Sequence, residues 1–172
     1  GVAIVDSGSC TNLVSKYVVE RLQLPTTSHP TPYKLHWMSS DGVIAVNEQV
    51  LVHLEINGFT EEVPCDVVPM DACHVLLGRP WLSDRNVLYE GGVNKLSFKT
   101  KQGEVVVFAL SPLQAQLACE TLLHEKRNFE LKQNADLPKK GTKVGTKQKS
   151  SQSSPLLLTL KDFEREVNQT PD

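Results

Sequence analysis

Four apolar residues, Val2-Ala3-Ile4-Val5, run directly into Asp6-Ser7-Gly8, and this stretch limits what the chain can become. A carboxylate at the end of a buried strand costs several kcal/mol unless something compensates it. Two such carboxylates facing each other compensate by sharing a proton. At roughly 4 Å and an effective dielectric near 20 their repulsion is about 4 kcal/mol, or about three pK units. One acid of such a pair then holds its proton near neutral pH while the other serves as a base toward a water between them. Gly8 allows two backbones to approach closely, and the Ser7 hydroxyl can brace the pair. The alternative is an ordinary strand-to-turn aspartate with Ser-Gly as the turn, and the motif alone leaves both open.

The 172 residues suffice for one domain and a tail. With 40% hydrophobic and 22% charged residues and a net charge of -2, the chain has an ordinary globular composition, and charge gives no reason to expect nucleic acid as a partner. Cys10, Cys65, Cys73 and Cys119 lack C-x-x-C spacing, so neither a zinc site nor a disulfide framework is expected. Cys73 and His74 are adjacent and would point to opposite faces of an extended chain. No metal or cofactor is implied, and reduced thiols suggest a cytoplasmic setting. There is no apolar run near the length of a membrane span and no basic leader with a cleavage site.

Along the chain, Thr11-Asn12 is expected to cap a helix carrying Leu13, Val14, Tyr17, Val18 and Leu22, which Leu24-Pro25 ends. Residues 26–32 read as an exposed connection in which His29 is a solvated loop histidine. A strand over Tyr33–Met38 leads to the Asp41-Gly42 turn and a returning strand at Val43–Val46. Strict alternation from Val50 to Ile56, the Asn57-Gly58 turn and a return from Phe59 to Val67 give a second hairpin. Pro64 suits an edge or a bulge. Val75-Leu76-Leu77-Gly78 reads as a short buried strand, and Arg79-Pro80-Trp81-Leu82 as a helical turn. Two strands follow around Gln102-Gly103. Leu113, Leu117, Thr121, His124 and Asn128, with Leu122, Leu123 and Phe129 nearby, then suggest an amphipathic helix. The Lys-, Gly-, Ser- and Gln-rich segment from about residue 137 to 154 reads as a flexible linker rather than a nucleic-acid contact. Beyond it, Leu156–Val167 suggests a short helix or the start of another module.

In their order, Asp6-Ser7-Gly8 after an apolar strand, the Asp41-Gly42 hairpin and Leu76-Leu77-Gly78-Arg79 resemble the retroviral-type aspartic proteases, or retropepsins. Asp6 to Ser15, Cys65-Asp66-Val67-Val68-Pro69-Met70 and Leu76 to Trp81 look most like the protease segment of gypsy-type retrotransposon polyproteins, especially those of plants. The resemblance implies a mainly β, retropepsin-like acid protease half-barrel with one or two short helices, followed by a C-terminal helix and a flexible tail. It implies an aspartic endopeptidase acting on extended peptide or polyprotein substrate, active only as a homodimer because each chain brings one aspartate. By position, Asp6 would be the catalytic carboxylate, Ser7 the brace between two active-site loops, and Gly8 a contact to substrate backbone. Ser40, Asp41 and Gly42 would form the tip of a substrate-binding flap, and Leu76-Leu77-Gly78 the scaffold beneath the active-site loop.

Two departures accompany the likeness. In viral members an arginine placed like Arg79 pairs with an acid four residues after the catalytic aspartate, whereas this chain has Cys10 there, leaving the partner of Arg79 open. The family also carries strand structure ahead of the active-site strand. Residues 1–112 are therefore expected to be an N-terminally truncated protease domain, 113–135 a helical extension and 136–172 a linker and tail. A catalytically silent relic or interaction domain is the alternative reading.

Overall fold

The computed structural model of the chain describes residues 1–36, 42–135 and 156–159. Among them, ten strands and three α-helices follow one another as β1 (Val2–Val5), β2 (Leu13–Ser15), α1 (Lys16–Leu22), β3 (Thr27–His36), β4 (Val43–Ile56), β5 (Phe59–Val68), β6 (Val75–Leu77), α2 (Arg79–Asp84), β7 (Leu88–Glu90), β8 (Lys95–Thr100), β9 (Gly103–Phe108), α3 (Pro112–Ala135) and β10 (Leu156–Thr159). A large mixed sheet has the order β10-β1-β6-β2-β5-β4-β3, and a small antiparallel sheet the order β7-β8-β9. The chain is thus mainly β, with a long C-terminal helix.

The apolar run that opens the chain is explained by burial on both faces of β1. Ala3 and Val5 enter a core with Val14, Val52 and Leu54, which the small sheet closes through Leu96, Phe98 and Val107. Val2 and Ile4 point the other way, into a core of Leu13, Val46, Val68, Met70 and Leu76 against which Ala115, Ala118 and Cys119 of α3 pack. The first core is further filled by aromatic edges: Phe98 meets Phe59 at 5.4 Å and Trp81 at 5.5 Å between ring centroids, both near T-shaped.

Several expectations are corrected. The first helix begins at Lys16, not near Leu13, because Leu13–Ser15 is held as a strand between β5 and β6. Asn12 caps nothing: its side chain accepts from Gly78 N at 2.9 Å and its amide faces the Pro64 carbonyl at 3.4 Å. Residues 27–32 are not a loop, since β3 starts at Thr27 and pairs with β4 across an irregularity between Ser28 and Tyr33. The strands expected at Val43–Val46 and from Val50 are one 14-residue strand. Pro64 lies opposite Leu51 of β4, but the pairing of β5 with β2 begins only at Asp66, so its missing N–H interrupts no ladder there. The helix expected from Leu156 is replaced, over Leu156–Thr159, by β10, antiparallel to β1 with Val5 opposite Leu156. The Asn57-Gly58 hairpin turn forms as expected, both residues having positive φ (49° and 81°).

His74, in the connection before β6, fastens β1. Its N–H donates to the Val2 carbonyl, its ring Nδ1 accepts from Val2 N at 2.9 Å, and its carbonyl accepts from Ser15 N. Burial, with Arg21 nearby, pushes its pKa down from 6.5 to about 4. Below pH 6.5 the unfolded chain takes up a proton that the native chain refuses. Stability therefore falls as pH drops from about 6.5 to about 4, by about 3 kcal/mol in all, and this contribution is flat above that window. Urea unfolding across pH 7.5 to 4 should show the loss in the wild type and a smaller one in His74→Gln. Equal losses in both would exclude this origin.

Candidate active site

Asp6 stands where β1 leaves the sheet. Its N–H donates to Leu77 O at 3.0 Å, continuing the parallel pairing of β1 with β6 by one residue, and its own carbonyl accepts from Ser9 N at 3.2 Å to close a turn. Gly8 N donates to Asp6 Oδ1 at 2.8 Å, which fixes the rotamer of the carboxylate. A Cβ on Gly8 would lie 3.1 Å from that same oxygen. Asp6 is half-buried and Ser7 and Gly8 are exposed, so the three form a rigid turn whose outer side is open. The structure thus brings these three expected site residues together.

Behind the turn the backbone is packed at its closest. Gly78, ending β6, sits so near the loop that a Cβ would meet Thr11 O at 2.3 Å and Ser9 O at 3.0 Å. The next residue donates its N–H to Ser9 O at 3.0 Å, and Ser9 Oγ donates to Thr11 O at 2.7 Å. The scaffold role expected for Leu76-Leu77-Gly78 has this form: β6 lies between β1 and β2 and carries the turn on its end. The open question of Arg79 resolves as well. Its guanidinium donates to Cys10 Sγ at 2.7 Å, so the arginine holds the loop that follows Asp6 through a thiol.

Sequence reasoning missed Asp66. This carboxylate is 3% exposed and is fully surrounded by donors. Thr11 Oγ1 and the Tyr33 hydroxyl donate to Oδ2 at 2.8 and 2.7 Å. Gln49 Nε2 donates to Oδ1 at 3.1 Å, and His29 Nε2 lies 3.2 Å from the same oxygen. His29 is therefore no solvated loop residue, because β3 carries it inward. Burial, reinforced by the bond to Asp66, pushes the Tyr33 hydroxyl up to about 12, which keeps it a donor at ordinary pH. One carboxylate so ties the loop after Asp6, through Thr11, to β3 and β4, the two strands that lead to the expected flap. The signal was present in the sequence: Cys65-Asp66-Val67-Val68 places a lone acid in a buried run, the argument already applied to Asp6.

A family model, the PEG10/RTL1 protease domain, matches residues 2–104, from β1 into β9. The chain belongs to the PEG10/RTL1 protease domain family. Among solved structures it is similar to the retroviral protease-like domain of Ddi1 from Leishmania major, at 16% identity over 64% of this chain and 84% of that one, with a TM-score of 0.40. No curated protein matches it. Membership gives this PEG10/RTL1-type domain a retropepsin-like protease fold, in which the Asp6 turn and the Leu77–Gly78 scaffold are the parts just described. Of the expected flap residues, Gly42 is exposed ahead of β4, while Ser40 and Asp41 lie outside the described residues. No helix among the described residues is long and apolar enough to cross a membrane.

Proposed function

We propose that this PEG10/RTL1-type domain is an aspartic endopeptidase that works as a homodimer, each chain contributing Asp6 to one dyad. The observation that carries the reading is the Asp6 turn, a carboxylate locked by Gly8 N–H and β6 yet open on its outer side, of which the chain has one copy. Two chains meeting through these turns would place the carboxylates around one water. One carboxylate takes a proton from that water as its oxygen attacks the scissile carbonyl carbon, and the other gives its proton to the carbonyl oxygen. The tetrahedral species then collapses as the C–N bond breaks and the leaving nitrogen is protonated. Ser7 braces the two turns, Gly8 lies against substrate backbone, and Ser40, Asp41 and Gly42 close over an extended peptide paired by main-chain hydrogen bonds.

We place this unit at residues 1–112, with 113–135 as its helical extension and 136–172 as a linker and tail, within a cytoplasmic retrotransposon polyprotein. The gypsy-type, plant-like origin rests on the three sequence motifs. Purified chain is expected to cleave extended peptides with a bell-shaped pH profile and to be blocked by a pepstatin-type inhibitor. A chain that is dimeric in solution, yet cleaves no peptide at any pH at which it stays folded, would instead be a silent interaction domain.

A further inference from the structure

Of the residues expected to make α3 amphipathic, Leu122 and Phe129 pack on the body, while the stripe of Leu113, Leu117 and His124 faces away from it. Ala115, Ala118, Cys119, Leu122 and Phe129 pack on the body, and Lys126 Nζ donates to Met70 O at 2.9 Å while Arg21 meets Glu125 at 3.1 Å. Leu113, Leu117 and Leu131 are 67%, 54% and 62% exposed. With Glu120, His124 and Arg127, also exposed, they recur at alternating steps of four and three. At 100° per residue all six fall within an arc of about 80°, roughly opposite the packed face. The helix therefore carries leucines on two sides, of which the body covers one.

From Leu117 to Leu131 the outer face is symmetric in kind about His124, with a leucine at each end and charges of opposite sign between. Turned about a two-fold axis through His124, Leu117 of one copy lies level with Leu131 of another. Glu120 then falls within one residue rise, about 1.5 Å, of Arg127 of that second copy. Leu117 and Leu131 meet each other and each charge meets its opposite, twice over, as an isologous interface requires, while Leu113 falls level with Ala135. A parallel pairing would instead set Glu120 against Glu120 and Arg127 against Arg127. Among the described residues Arg127 bonds no carboxylate, and Glu120 bonds only Gln116, at 3.1 Å.

We propose that the outer face of α3 is a two-fold interface, pairing antiparallel with the same face of a second copy of this chain. The heptad-like spacing supports knobs-into-holes packing of the leucines, and the Glu120–Arg127 pairs set register and direction. The inference stands on α3 alone and is independent of whether the chain cleaves peptides. It can be tested by sedimentation equilibrium of the full chain, with circular dichroism to confirm folding of each variant. Any pairing through the Asp6 turns does not involve these two charges, so the association step read is the one they change: Glu120→Arg and Arg127→Glu, each setting like charges together, are expected to weaken that step by at least about tenfold, and the double swap E120R/R127E to restore it within about threefold. Single variants that dimerise like wild type, or a double swap as weak as the singles, would overturn the proposal. So would a wild-type chain that stays monomeric at the highest concentration reached, as it would if the face were covered by its own tail or by a different protein.

Discussion

An Asp6→Asn chain is expected to fold like the wild type and to lose peptide cleavage by at least about 10³-fold, the scale of removing positioned acid–base chemistry. The two halves of this expectation have separate causes. Folding survives because the contact that holds the side chain is an accepted hydrogen bond from Gly8 N at 2.8 Å, and asparagine retains a carbonyl oxygen to receive it. The side chain is half-buried at an open turn, so the change in stability should stay within about 0.5 kcal/mol. Chemistry fails because an amide can neither take the proton of the attacking water nor return one to the carbonyl oxygen. Activity at the wild-type rate in Asp6→Asn would remove Asp6 from the mechanism.

The second large effect is expected at Gly78→Ala and works through stability. Gly78 has φ -91° and ψ -167°, extended backbone open to any residue, so alanine meets no conformational penalty there. The obstacle is space. The new Cβ would lie 2.3 Å from Thr11 O, with Ser9 O and Thr11 C both at 3.0 Å, and backbone atoms cannot rotate aside as a side chain could. The loop must move, straining the bond from Gly78 N to Asn12 Oδ1 and that from Arg79 N to Ser9 O. We expect a loss of about 3 kcal/mol or more in urea unfolding, and cleavage to fall with it because the same loop carries the Asp6 turn. Gly58→Ala is the control. Its Cβ would meet nothing within 4 Å, but φ is +81°, so it should lose only about 1 kcal/mol. A Gly78→Ala chain as stable as wild type would contradict the close packing of loop and strand.

The parts of this architecture that could be read in the sequence are those where local chemistry and long-range packing agree. The Asp6-Ser7-Gly8 turn, the Asn57-Gly58 hairpin and the β6–α2 junction at Gly78-Arg79-Pro80 each combine a strand pattern with the residues its end demands. Reading failed where tertiary partners overrode local preference. Leu13 and Val14 have helical spacing with Tyr17 and Val18, but pairing with β5 and β6 takes them into the sheet. Thr27 to Pro32 has loop composition, yet Asp66 draws His29 and Tyr33 inward and β4 supplies a pairing partner. The packed face of α3 was misread because two leucine-containing faces lie on opposite sides of one helix, and periodicity cannot say which of them the body will cover. Arg79 and Cys10 illustrate a different gap: the order of residues shows a cysteine where the viral members carry an acid, but not that Arg79 reaches its thiol.

The central claim is that two copies of Asp6 make one catalytic centre. It is tested most directly by mixing wild-type and Asp6→Asn chains at fixed total concentration, after exchange of subunits, and measuring cleavage of one peptide. A shared dyad leaves only wild-type pairs active, so an equal mixture should retain about a quarter of the activity of the same total of wild-type chain. Retention of about half, with activity following the wild-type fraction linearly, would mean that each chain acts alone and would contradict the account.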